Sequence, residues 1–123
     1  MIVCSIDLMG GKAVQLERGE RLVLERYDVV ALAGRFGRLG EVAVIDLDAA
    51  LGRGDNRPLI EAVTRAVGVP VVASGGASNA ESFVAGLTAG ADAVLGASSF
   101  HSGALTVREV KQRCVEAGLT VRA

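Results

Sequence analysis

The sequence predicts an α/β protein of four βα units on a parallel sheet, the content of half an eight-stranded barrel. Short apolar runs, Ile2 to Leu8, Val42 to Leu47, Val69 to Ser74 and Ala91 to Leu95, alternate with longer segments whose apolar residues recur at helical spacing. The runs are rich in Val and Ile and nearly unbroken, as strands of a parallel sheet covered by helices tend to be. The chain has 123 residues, whereas a complete eight-stranded barrel needs roughly 250. One copy cannot supply eight strands.

The elements follow in order. After the first strand, Gly10 and Gly11 followed by Lys12 to Leu16 suggest a small hairpin extension, and a long loop then reaches Asp28. Val29, Leu32, Ala33 and Phe36 form the apolar stripe of the first helix, which starts at Asp28. The second strand leads into the polar segment DAALGRGDN, where Asp48 and Asp55 read as turn formers. Leu59, Ile60 and Val63 mark the second helix after Asn56, with Pro58 suited to its first turn. Ser78 with Glu81 and Thr106 with Glu109 have the capping-box form at the starts of the third and fourth helices. Gly40, Gly68, Gly90 and Gly118 stand where the four helices should stop. GEVAVID at 40–46 and GADAVLG at 90–96 look weakly alike, as repeated βα units would. No linker interrupts them, and residues 1–123 read as one (βα)4 domain.

Half the residues are hydrophobic and only 3% are aromatic, which predicts an aliphatic core. Lys plus Arg number 13 against 14 for Asp plus Glu, so no global field draws in nucleic acid or an anionic membrane. Neither is expected as a partner. Cys4 and Cys114 are isolated thiols that read as packed hydrophobes, and His101 has no visible partner, so no metal and no cofactor is expected. With no signal-like start and no long apolar run, the expected location is the cytoplasm.

Two turns carry candidate chemistry. ASGGAS at 73–78 puts Ser74, Gly75 and Gly76 between a strand end and a helix start, where backbone amides can approach an anion. GASSF at 96–100 follows the fourth strand in the same way, and in a parallel βα array the two turns are neighbours at the C-terminal edge of the sheet. The alternative is that such glycines only relieve crowding. Asp7 and Asp46 each end a strand, a position that suits either acid–base chemistry at a barrel mouth or the fixing of a loop.

Residues 2–16 (IVCSIDLMGGKAVQL) and 41–57 (EVAVIDLDAALGRGDNR) resemble the first two βα units of the ribotide isomerase of histidine biosynthesis. Residues 69–123 resemble the last two units of its relative, the cyclase subunit of imidazole glycerol phosphate synthase. The resemblance implies a (βα)4 half of a TIM barrel, its parallel sheet completed by self-association into a homodimer or higher even oligomer. It implies acid or base chemistry at Asp7, and a site for phosphate or a phosphorylated ribotide formed by Ser74, Gly75, Gly76, Ala97 and Ser98. The matching reaction is isomerisation of an aminoimidazole carboxamide ribotide bisphosphate, or a cyclase-lyase step.

There are departures. Gln15 replaces the basic residue of the loop after the first strand, with Lys12 or Arg18 as possible substitutes, and only one catalytic Asp position exists per chain. Glu41 fits one member of the charged ring that faces the family's glutaminase, but Met1 stands where an Arg would be, which counts against a glutaminase partner. The other readings are a phosphate-binding module without turnover and a half-barrel recombined by design.

Overall fold

The expected alternation is found in the computed structural model, which describes residues 1–122. Its strands are β1 (Cys4–Met9), β2 (Lys12–Glu17), β3 (Arg21–Arg26), β4 (Val42–Asp46), β5 (Val71–Ser74) and β6 (Ala93–Leu95). Its helices are α1 (Val29–Gly37), α2 (Leu47–Ala50), α3 (Arg57–Ala66), α4 (Ala80–Thr88), α5 (Ser98–His101) and α6 (Val107–Glu116). The six strands form one sheet in the order β3-β2-β1-β4-β5-β6. From β1 through β4 and β5 to β6 every pairing is parallel and neighbours follow chain order. This is the winding of a TIM barrel, here with four parallel strands.

Burial shows why one face is helical. Ile6, Leu8, Val42, Val44, Val71 and Ala73 alternate along their strands and are at most 5% exposed, packed with Val29 and Ala33 of α1 and Ile60 and Val63 of α3. A second cluster joins Phe83 of α4 to Val110 and Cys114 of α6. The opposite row, Ser5, Asp7, Ala43, Ile45, Val72, Ser74, Ala93 and Leu95, is covered by no helix, and Leu95 is 54% exposed. In a closed barrel this row would be the interior.

Several expectations change. The long loop before Asp28 contains β3, so β2 and β3 form an antiparallel meander on the upper edge of β1, with Asp7 opposite Val14 and Met9 opposite Lys12. Leu47 opens α2 rather than ending β4. Asn79, not Ser78, caps α4, its side chain accepting from the Ser82 amide at 3.0 Å. Asp28 does not cap α1 because both its oxygens are taken by Arg26. Gly40, Gly90 and Gly118 take positive φ after their helices, but α3 ends in the extended Val67, so Gly68 terminates nothing. The Thr106–Glu109 capping box forms in full. Among the described residues no helix is long and apolar enough to cross a membrane.

Candidate functional site

Strand register sets the site. Asp7 pairs with Ile45, Ile45 with Ser74 and Ser74 with Leu95, so these four side chains share one row on the uncovered face. Two strand spacings, about 10 Å, separate Asp7 from Ser74. Asp7 also lines a cleft of about 350 Å³ together with Gln15, Leu24, Arg26, Leu32 and Phe36. Burial there pushes the Asp7 carboxyl above the usual carboxylate range, as desolvation disfavours the charged form. Such a group can hold a proton nearer to neutrality than a free Asp can.

Ser74, Gly75, Gly76, Ala97 and Ser98 line a second cleft, of about 440 Å³, which also takes in Ala49, Gly52 and Gly96. The two turns are therefore brought together. Among the described residues no backbone carbonyl accepts from the amides of Gly76, Ala77 or Ala97. Ser98 opens α5, where first-turn amides have no acceptor within the helix. The hydroxyl of Ser99 donates to the Ala77 carbonyl at 2.8 Å and ties one turn to the other. Sequence reading passed over Ser99 because its partner is a backbone atom 22 residues away.

The glycines answer to packing as well. A Cβ on Gly75 would lie 2.2 Å from the Asp46 carbonyl oxygen, and one on Gly76 would lie 2.7 Å from the Ala49 Cβ. Both also have positive φ, 106° and 72°. Their identity is thus dictated by the close approach of α2, whether or not an anion sits above them.

Asp46 belongs to this support and not to the row of Asp7. It pairs with Leu8, faces the helices and is 2% exposed. Its carboxylate accepts from the Ala49 amide at 3.1 Å, the Asn56 amide at 2.5 Å and the Asn56 side chain at 2.8 Å. Asn56 also donates to Asp48 and accepts from the Gly11 amide, while Asp48 accepts from Gly10 at 2.7 Å. The Gly10 contact, ahead of the Asn56 one, holds the Asp48 carboxyl below its ordinary range. This network clamps the loop after β4 to the turn after β1. Asn56, expected as a helix cap, is its hub.

The substitutes for the lost loop cation can also be located. Lys12 is held by Glu25 at 2.8 Å and lies 5.2 Å over the Tyr27 ring, and Arg18 sits in the β2–β3 turn. Arg26, which sequence reading did not single out, lines the same cleft as Asp7 and Gln15. It became visible only with β3. His101 is exposed at the end of α5.

Four parallel strands wound in chain order, with paired glycine turns at their C-terminal edge, are the content of part of a TIM barrel. Residues 1–71 and 51–106 match the family model described as histidine biosynthesis protein, and the chain belongs to that family. Among its relatives is imidazole glycerol phosphate synthase subunit HisF of Bifidobacterium adolescentis, 35% identical over 138 residues, covering 99% of this chain and 52% of the relative. The HisF subunit of Beutenbergia cavernae is 51% identical over 84 residues, 68% of this chain and 33% of its own length. That of Corynebacterium diphtheriae is 46% identical over 86 residues, 69% of this chain and 33% of its own. The chain spans between a third and about half of the length of these relatives.

Proposed function

We propose that the chain is a phosphosugar-binding half-barrel that closes with a second copy and performs acid–base chemistry through Asp7 on a phosphorylated aminoimidazole ribotide. The observation that carries this reading is the shared row: Asp7 and Ser74 face the same uncovered side two strands apart, with the Ser98 turn beside the second. A phosphate held by the Gly76, Ala77, Ala97 and Ser98 amides would leave the sugar reaching toward Asp7. Isomerisation needs one group to give a proton and another to take it. A twofold barrel supplies two copies of Asp7, and an asymmetric substrate lets one stay protonated while the other is ionised. It also supplies two phosphate turns, which suits a bisphosphate. Arg26 does not fill the cationic role left open by Gln15, because it stands opposite Ala13 on the helix side of the sheet, away from Asp7, and is held by Asp28.

The relatives, subunits of imidazole glycerol phosphate synthase, favour a second reaction for the same site, formation of imidazole glycerol phosphate. We place either activity in the cytoplasm and without a glutaminase partner. The deciding assay compares the purified protein with Asp7→Asn on both the ribotide isomerisation and imidazole glycerol phosphate formation. Turnover that falls at least 100-fold in the variant is expected. Equal rates, or none from either protein, would leave a phosphate-binding module without catalysis.

A further inference from the structure

β3 is the outermost strand of the sheet, paired only with β2, and its other edge is open. Open edges are ordinarily protected by charged side chains, especially Lys, by Pro or by a bulge. β3 reads RLVLER, with charges at its two ends but none on Leu22, Val23 or Leu24 and neither Lys nor Pro, and the one irregularity of its ladder lies in β2 between Gln15 and Leu16. Leu22, Val23 and Leu24 are 47%, 53% and 52% exposed.

We infer that β3 pairs antiparallel with β3 of a second copy, with Val23 on the twofold axis. In that register Leu22 faces Leu24, Arg21 faces Glu25 and Glu20 faces Arg26, each twice by symmetry. All three pairs are complementary, and unlike charges directly opposite stabilise a sheet while like charges destabilise it. Twofold pairing can shift only by moving the axis to a neighbouring residue: on Leu22 it opposes Arg18 to Arg26, and on Leu24 it opposes Glu20 to Asp28. The charge pattern therefore selects one register and a self-complementary, isologous contact. Both faces of the new pairing are consistent with the pleat. Leu22 and Leu24 lie on the helix side of the sheet, where Leu24 shares a cleft with Leu32 and Phe36 of α1, and Val23 with Arg21 and Glu25 lies on the side that Asp7 faces. Arg21, Glu25 and Arg26 also pair within the chain, with Glu17, Lys12 and Asp28, so the contacts between copies extend these exposed pairs into a network, while the outward backbone groups of β3 have no partner strand. The surface is distinct from the barrel-closing face, which is the row of Asp7, Ile45, Ser74 and Leu95.

Cross-linking reads the register directly. In a Cys4→Ser background, Val23→Cys should form an intermolecular disulfide on mild oxidation, because residue 23 meets its own copy. Tyr27→Cys, at a more exposed position but facing residue 19 of the other copy, should form at least tenfold less. In parallel, Val23→Lys should lower the mass in sedimentation relative to the unsubstituted protein, with unchanged far-ultraviolet dichroism confirming that the exposed site tolerates the change. The inference is overturned if the two cysteine variants cross-link equally, or if Val23→Lys leaves the mass where it was. Barrel closure is tested separately by Leu95→Lys, so each interface can fail alone.

Discussion

Asp46 ends β4 as expected, but β1 runs on to Met9 and Asp7 stands two residues inside it; the two are one register step apart, and that step sends one to the open face and the other into the helix layer. Period-two alternation makes this unavoidable. The candidate residues were legible as types near strand ends, but which Asp faces the open side depended on register across strands whose paired residues are 38 apart in sequence, and no local pattern encodes register. The structural consequence is opposite for the two. Burial raises the Asp7 pKa, so the folded state prefers the protonated form: the stability present at low pH is lost as pH rises through the raised folded value. Asp7→Asn should therefore raise the melting temperature slightly at pH 7, with the gain vanishing below the ordinary carboxyl value of 3.8. Asp46→Ala should instead cost about 3 kcal/mol in denaturant unfolding, since it leaves buried amides of Ala49 and Asn56 unpaired. Gly75→Ala should cost about as much, because a Cβ there collides with backbone at positive φ and overpacking typically costs about 1–3 kcal/mol before strain is added. Phosphate affinity lost in that variant would reflect a displaced α2 as well as an occluded cradle.

At the scale of elements, the parallel strands and long helices were readable because their signals are continuous apolar runs and 3.6-residue stripes. β3 was not, since Arg21–Arg26 has exposed residues on both faces and its strand character comes from pairing with β2. Caps divided along a similar line. Thr106 and Glu109 have no competing partners and form their box, so Thr106→Ala should destabilise the protein by about 1 kcal/mol, measured by urea unfolding. Asp28 and Asn56 sit beside stronger partners, Arg26 in one case and two carboxylates in the other, and those partners win. Residue type predicted a cap at each position. Tertiary geometry decided which ones form.

For the whole molecule the unresolved balance lies on the open face. Ala43, Ile45, Val72, Ala93 and Leu95 form an apolar row with no helix above it, and β6 has a free edge beyond Leu95. The meander protects only Asp7 to Met9 of β1, so the lower part of that strand also keeps an open edge. A second copy placed by a twofold axis can pair its β6 with this lower edge and its apolar row with this row, removing both liabilities together. Because Leu95 would then be enclosed, Leu95→Lys should prevent closure: an ammonium buried without a partner costs several kcal/mol, roughly, in each of the two copies. In the open chain residue 95 is half exposed, so the substitution leaves the folded half-barrel intact. Sedimentation at micromolar concentration should then give an even multiple of the 12.6 kDa chain for the unsubstituted protein, and a smaller multiple for Leu95→Lys. Combined with Val23→Lys, which blocks the β3 contact, the mass should fall to that of one chain. An unsubstituted protein that already sediments as a single chain would rule out closure, and with it any chemistry that requires two Asp7 side chains.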